Sequence, residues 1–123
     1  MRTKVFKLKA DEIKPLAPGR GSCIATDLIT VGGEKVGYMY REDPDPENAA
    51  DSGWRFFSGT EEDEYANDPD NLQVYDVNTI ANYDPEIIPF LDAPVPSAFA
   101  RDSGTGKLVE VDAPSGEEPD EAN

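Results

Sequence analysis

The chain has 123 residues, with 26 acidic and 11 basic side chains, no histidine and a formal net charge of -15. Its length is that of one domain, which can bury a core without disulfides or a metal. The charge repels phosphate backbones and anionic membrane surfaces, so it disfavours nucleic acid and membranes as ligands and favours a basic protein partner. The lack of histidine excludes imidazole metal ligands and a Ser-His-Asp triad.

The single cysteine and the first residues bear on where the protein works. Cys23 has no partner for an internal disulfide and lies in a short apolar run, so we interpret it as a core thiol in a reducing compartment. Residues 1–9 alternate basic and apolar side chains and lack the continuous apolar stretch of a signal peptide or a membrane span. These features indicate a cytoplasmic protein.

Charge and composition divide the chain into three parts. Residues 1–20 carry six basic and two acidic side chains, and the alternation within residues 5–9 predicts a basic edge strand followed by a linker. Residues 21–111 contain the aromatic and apolar runs expected of a folded domain. Residues 112–123 hold five acidic side chains, two prolines and no large apolar side chain, which predicts a disordered acidic tail.

A β-hairpin is the strongest local signal in the first half of the domain. Residues 22–26 have strand character and residues 28–31 continue the apolar run. Gly32-Gly33 forms the expected turn before a second strand at residues 36–40.

The middle of the chain combines an acidic loop, an aromatic strand and a short helix. The acidic, proline-containing residues 42–52 predict an exposed loop. The Trp-Arg-Phe-Phe run at residues 54–57 predicts a compact aromatic strand. Thr60 is the predicted N-cap of an acidic helix that ends near Asn67, because acidic side chains are favoured in the first helical turn.

Short apolar runs with turn residues between them fill the rest of the domain. They predict a strand at residues 72–75, helical turns at 77–81 and 85–91, and a closing hairpin between 98–100 and 108–111. Strands and short helices are intermixed, which indicates an α+β fold with a mainly antiparallel sheet and short helices packed on it.

No arrangement of residues predicts a catalytic or metal site. Adjacent carboxylates such as Glu61 with Glu64 are expected from the abundance of acids alone. The acids of residues 43–51 invite a calcium interpretation, yet Asn48 stands where an EF-hand needs glycine and Trp54 where it needs a bidentate glutamate. We therefore predict no catalytic residue, no metal ligand and no cofactor, and the sequence leaves a loose cation site on this acidic loop open as an alternative.

An aromatic set along two predicted strands has two interpretations. Its members are Tyr38, Tyr40, Trp54, Phe56 and Phe57. The set forms either an exposed anchor patch for a partner or part of the core. We predict that Phe56 and at least one tyrosine lie in the core, and the sequence leaves both interpretations open for Trp54.

Three spaced motifs resemble a known bacterial family. They are GYMYR at residues 37–41, DSGWRFFSG at 51–59 and NYDPEIIP at 82–89. Together they resemble the predicted immunity protein thirty-three family, formerly a domain of unknown function, whose members occur near polymorphic toxin genes. The resemblance extends over residues 20–111. It implies an α+β fold and a protein that binds and blocks a cognate toxin, and it implies no catalytic residue.

The resemblance and the charge together predict a protein that is not an enzyme and that neutralises a toxin through an acidic surface. The predicted partner-binding residues are two aromatic side chains and two groups of carboxylates: Tyr40, Trp54, Glu42, Asp43, Asp45, Glu61, Glu62, Asp63 and Glu64. Two other functions stay open. One is an interaction or regulatory module whose partner is not a toxin, and the other is a small-ligand enzyme with a pocket around Trp54, Tyr38 and Tyr83.

Overall fold

The computed structural model describes residues 5–113, except for the side chains of Ala10 and Asp63. The strands are β1 Ser22–Thr26, β2 Tyr38–Arg41, β3 Asp51–Phe57, β4 Leu72–Asp76, β5 Ser97–Arg101 and β6 Leu108–Val111. The α-helices are α1 Asp27–Thr30, α2 Asp63–Ala66 and α3 Val77–Tyr83. Short 3-10 helices lie at Ala10–Glu12, Pro69–Asn71 and Pro85–Phe90. These elements confirm the predicted α+β class.

The six strands form one sheet in the order β4-β1-β3-β2-β5-β6. Neighbouring strands are antiparallel except β1 and β3, which run parallel in the interior of the sheet. β2 and β3 form one antiparallel hairpin, and β5 and β6 form another. The predicted mainly antiparallel sheet and the closing hairpin of β5 and β6 are therefore confirmed.

The predicted hairpin on either side of Gly32-Gly33 is wrong. β3 lies between β1 and β2, and residues 27–30 form α1 instead of continuing the strand. The two glycines end this helix, because the amides of Gly32 and Gly33 donate to the carbonyl oxygens of Asp27 and Ile29. Gly33 has a positive φ of 79°, the conformation for which helix C-termini prefer glycine. The residues that predict a hairpin turn therefore serve as a helix stop.

The core lies on one face of the sheet, where α1, α3 and the 3-10 helix Pro85–Phe90 pack. Side chains alternate along a strand, so Trp54 and Phe56 of β3 point to this face, and Met39 of β2 packs beside them. The Trp54 indole nitrogen donates to the Leu91 carbonyl oxygen at 3.2 Å, which satisfies its one polar group. The buried apolar residues of the core include Cys23, Ala25, Ile29, Val36, Met39, Trp54, Phe56, Val77, Ile80, Ala81, Ile87, Leu91, Phe99 and Leu108.

The predicted edge strand at residues 5–9 is wrong. The amide of Lys7 donates to the carbonyl oxygen of Thr30 in α1, and the amide of Leu8 donates to the Tyr83 hydroxyl in α3. The segment therefore crosses the helical layer, and its backbone is bonded to helix residues rather than to the sheet.

Two asparagines of α3 hold the next part of the N-terminal segment. The side-chain amides of Asn78 and Asn82 both donate to the Lys14 carbonyl oxygen, at 2.8 Å each. Their side-chain oxygens accept from the amides of Leu16 and Lys14, respectively. Hydrogen bonds between these side-chain amides and the backbone therefore attach this basic segment to α3.

Most of the remaining predicted elements form, some with shifted boundaries. The aromatic strand and the strand at residues 72–75 are confirmed as β3 and β4, and the two helical turns as α3 and the 3-10 helix Pro85–Phe90. β3 begins at Asp51, so Asp51 and Ser52 belong to a strand and not to the predicted loop. Residues 114–123 of the predicted tail lie outside the described residues.

The acidic helix begins later than predicted. α2 starts at Asp63 and not directly after Thr60. The reason is a loop closed by Glu61, whose carboxylate accepts hydrogen bonds from the amides of Ser58 and Gly59 at 2.7 and 2.9 Å. The first acids after the strand therefore complete a turn before the helix begins.

A buried carboxylate joins the helical layer to β5. Asp84 is 2% exposed and caps the 3-10 helix by accepting from the Glu86 amide at 3.1 Å. The same side chain accepts from the Val36 amide at 3.0 Å and from the Arg101 guanidinium at 2.7 Å. One carboxylate thus fixes three segments that are far apart in the sequence.

The variant Asp84→Ala is expected to lower the free energy of unfolding by about 3 kcal/mol, because the Arg101 guanidinium loses its buried partner. Urea denaturation followed by circular dichroism measures the difference. The matched control is Asp92→Ala, which breaks the exposed Arg20–Asp92 pair and is expected to cost less than about 1 kcal/mol. Equal losses in the two variants would contradict this role of Asp84.

Candidate functional site

The face of the sheet opposite the core carries a second aligned set of side chains. Tyr38, Tyr40 and Phe57 alternate with the core residues Met39 and Phe56 along β2 and β3, so they point away from the core helices. The strand register places further apolar residues in line with them. We call this set the open face, and it consists of Ile24, Tyr38, Tyr40, Phe57, Val74, Ala98, Ala100, Val109 and Val111.

Three aromatic rings are packed together at the centre of the open face. The Tyr40 and Phe57 rings are stacked, with centroids 6.0 Å apart and planes 6° apart. The Tyr38 centroid lies 5.7 Å from that of Tyr40 and 6.3 Å from that of Phe57. Burial raises the pKa of both tyrosine hydroxyls, and the Glu42 carboxylate adds to the rise at Tyr40. The hydroxyls therefore stay protonated and able to donate hydrogen bonds at neutral pH.

Arg55 of β3 lies within the open face, between Ile24 of β1 and Tyr40 of β2, and holds two carboxylates. Its guanidinium donates to both oxygens of Asp51 at 2.9 Å and to Oε2 of Glu42 at 2.7 Å. The Arg55 and Asp51 side chains are 8% and 6% exposed, whereas the Glu42 side chain is 50% exposed. The hydrogen bonds from Arg55 hold the pKa of Asp51 well below its usual range. The arginine charge is therefore compensated, and Glu42 presents a carboxylate to solvent.

The connection from β2 to β3 carries the first predicted group of carboxylates. Glu42, Asp43 and Asp45 are all exposed there. The amide of Asp45 donates to Asp51, and the Asp45 side chain accepts from the amide of Glu47, so the loop folds back on the start of β3. A small cavity of about 110 Å³ between the loop and the sheet is lined by Ser22, Cys23, Ile24, Asp45, Asn48, Asp51, Arg55 and Val74. This group of carboxylates therefore borders the open face.

The second predicted group of carboxylates follows β3 and lies at the other end of the sheet. Glu61 accepts from the Thr26 hydroxyl at 2.6 Å. Burial raises the pKa of Glu61, but the hydrogen bonds that it accepts outweigh this and lower it below its usual value. Glu62 and Glu64 are exposed, and the side chain of Asp63 lies outside the described atoms. Glu61 therefore holds the loop in place, whereas Glu62 and Glu64 face solvent.

Trp54 lies on the opposite side of the sheet from the rest of the predicted site. It is 1% exposed within the core, whereas Tyr38 lies on the open face. The described residues Trp54, Tyr38 and Tyr83 therefore do not enclose the pocket predicted for a small-ligand enzyme. The core position of Phe56 is confirmed. The prediction that at least one tyrosine of the aromatic set lies in the core is wrong, because Tyr38 and Tyr40 both point to the open face.

Cys23 is a core thiol, as predicted. The residue is 1% exposed, and burial together with the nearby Asp76 carboxylate raises the pKa of its thiol. A thiol with a raised pKa is a poor nucleophile at neutral pH because little of it is ionised.

Sequence reasoning missed part of the open face. The predicted partner-binding residues do not include Phe57, Val74, Val109 and Val111. A signal for them exists in β2, where Met39 of the core lies between two tyrosines, so both faces of the strand are apolar or aromatic. Antiparallel strands with one solvent face normally alternate apolar and polar residues, and a departure from this pattern indicates a second buried or binding face.

The described residues contain no group of three or more His, Cys, Asp or Glu side chains arranged to hold a metal ion. Within the same residues, no helix has the length and apolar character needed to cross a membrane.

The pair of Asp51 and Arg55 makes stability depend on acid pH. The pKa of Asp51 is lower in the folded protein than in the unfolded chain. Its stabilising contribution is therefore complete above about pH 5 and is lost as the pH falls through the carboxyl range.

The variant Asp51→Asn is expected to have a free energy of unfolding about 3 kcal/mol lower than the wild type at pH 7. Between about pH 5 and pH 2 its free energy of unfolding is expected to decline less steeply than that of the wild type.

Urea titrations at several pH values measure both effects. The matched control is Asp43→Asn, which removes an exposed carboxylate and is expected to keep the pH dependence of the wild type. If the free energy of unfolding of Asp51→Asn fell with pH as steeply as that of the wild type, the pair of Asp51 and Arg55 would not be the cause of the acid dependence.

Comparison with known proteins gives one match. The family model of the Immunity protein Imm33 domain matches residues 23–112. No curated protein and no solved structure matches the chain. The matched residues run from β1 past the end of β6, so they contain both the core and the open face, and they leave out the N-terminal segment held by α3. The chain therefore belongs to the Imm33 immunity protein domain family.

Proposed function

We propose that this protein binds and neutralises a cognate bacterial toxin through its acidic surface. The observation that carries the proposal is the placement of exposed carboxylates at both ends of β3, with Glu42, Asp43 and Asp45 before the strand and Glu62 and Glu64 after it. Membership of an immunity protein family supplies the class of partner. The net charge of -15 supplies the sign of the partner's surface, which is basic.

The strand arginines support this assignment of charge. Arg41 donates to the carbonyl oxygens of Ser52 and Ala93, and Arg101 donates to Asp84 and to backbone oxygens. Arg55 is held by Asp51 and Glu42 as described above. These cations are directed into the protein, so the exposed carboxylates keep a strong negative field around the sheet.

Neutralisation by binding needs no chemistry from the immunity protein. A protein that covers the active surface of a toxin blocks it by exclusion, and complementary charge accelerates encounter and rejects partners of the wrong sign. This mode of action agrees with a site composed of exposed carboxylates and apolar side chains.

The test uses a toxin domain whose gene is identified by sequencing the region beside this gene. The variant Asp43→Asn, Glu62→Gln, Glu64→Gln removes three negative charges from the two groups. Its association rate constant is expected to fall about tenfold at low salt, because electrostatic steering weakens. The difference is expected to shrink as salt screens the charges. Surface plasmon resonance at two salt concentrations measures the rates, and growth of cells that co-express the toxin measures protection.

The matched control removes the same number of charges from exposed positions away from the two groups and from the open face, with Asp11→Asn, Glu12→Gln and Asp92→Asn. It is expected to associate at nearly the wild-type rate. Equal losses in both variants would overturn the acidic groups as the binding surface. A wild-type protein that neither binds the toxin nor protects cells from it would overturn the function itself.

A further inference from the structure

We propose that the open face is the surface that contacts the toxin, and that it fits an apolar patch bordered by arginine or lysine side chains. The proposal rests on the proposed function, because it assigns a contact surface and a chemistry to the same partner. An antiparallel sheet with one covered face commonly turns polar side chains to water on the other. Here the second face carries aromatic and aliphatic side chains, and the Arg55 guanidinium between Ile24 and Tyr40 is held by the Asp51 and Glu42 carboxylates.

Three of the six exposed large apolar side chains in the described residues lie on this face, on the two edge strands β4 and β6. Val74, Val109 and Val111 are 57%, 44% and 37% exposed, and all three belong to the open face. Other large apolar side chains of similar exposure in the described residues lie outside the sheet, at Val5, Leu16 and Val95. Single exposed apolar residues are normal on a soluble protein, whereas an aligned set on one surface indicates a site of association.

The aromatic rings at the centre of the face suit the anchor of an interface. Tyr38, Tyr40 and Phe57 already pack on one another, so they lose little conformational freedom when a partner covers them. Tyrosine provides a large contact area and a hydroxyl donor on a side chain with few rotatable bonds, and it is enriched among the residues that dominate binding energy.

Charge identifies the occupant of the face. A second copy of this chain would bring another net charge of -15 against the first, and like charges across an interface repel. Tyr40 pairs across the strands with Arg55, whose guanidinium positions the half-exposed Glu42 carboxylate beside the ring. A cationic side chain of a partner placed over the Tyr40 ring would meet both the ring face and this carboxylate. A partner surface with basic side chains around an apolar patch therefore complements the open face in both charge and apolar character.

Matched threonine substitutions test the apolar contribution, because threonine keeps the β-branched shape of valine. One variant carries Val74→Thr, Val109→Thr and Val111→Thr, and its control carries Val5→Thr and Val95→Thr. The Kd for the same toxin domain is expected to rise about tenfold in the first variant and to stay within about twofold in the control. Tyr40→Ala is expected to raise the Kd about thirtyfold. Isothermal titration calorimetry measures these constants.

A measurement on the wild-type protein covers the case in which a substitution disturbs folding. Valine methyl signals in nuclear magnetic resonance spectra report contact directly. Addition of the toxin domain is expected to shift the signals of Val74, Val109 and Val111 and to leave those of Val5 and Val95 in place.

The outcomes separate the open face from the function on which it rests. Wild-type binding with an unchanged Kd in the open-face variants and unmoved methyl signals would overturn the open face as the contact surface and leave toxin binding intact. Absence of wild-type binding would overturn both. The wild-type protein could also sediment as a dimer and the triple-valine variant as a monomer. That result would show that the open face binds a second copy of this chain, and it would overturn the proposal that the face binds the toxin.

Discussion

The register of β3 in the interior of the sheet determines which side chains form the core and which remain available to a partner. Trp54 and Phe56 are buried beneath the helices, while Phe57 points to the open face. A slip of one residue would exchange the two faces of the strand, so the pairing of β3 with β1 and β2 has to be specified strongly. Gly53 contributes to that specification: its φ is 91°, and a Cβ there would lie 2.2 Å from the Glu42 carbonyl oxygen.

The acidic residues fall into two populations with different roles. Asp51, Glu61 and Asp84 are bound by arginines, hydroxyls or amides and hold segments of the chain together. Glu62 and Asp43 are exposed on connections between elements and contribute to the field around the protein. The net charge of -15 therefore comes both from carboxylates that hold the fold together and from carboxylates that face solvent, and burial separates the two.

Local signals in the sequence predict much of the secondary structure, but they do not predict which distant strands pair with one another. The β5–β6 hairpin and the aromatic strand are found because their turn and strand residues are adjacent in the chain. The pairing of β1 with β3 and β4 is not found, because it joins segments that are distant in sequence. Gly32-Gly33 is ambiguous, since glycine pairs suit hairpin turns and helix C-termini alike. The acidic groups are predicted from loop composition, whereas Val109 is placed on the open face only by the strand register.

Alternation along the strands allows recognition and folding to change independently. Tyr38 and Tyr40 can be replaced while Met39 between them continues to fill the core, and Phe57 can change while Phe56 keeps its place under the helices. A substitution on the open face changes the surface there and leaves the side chains that pack on the other side of the strand in place. A chain built in this way can acquire a new specificity through a few single-residue changes without rebuilding its domain.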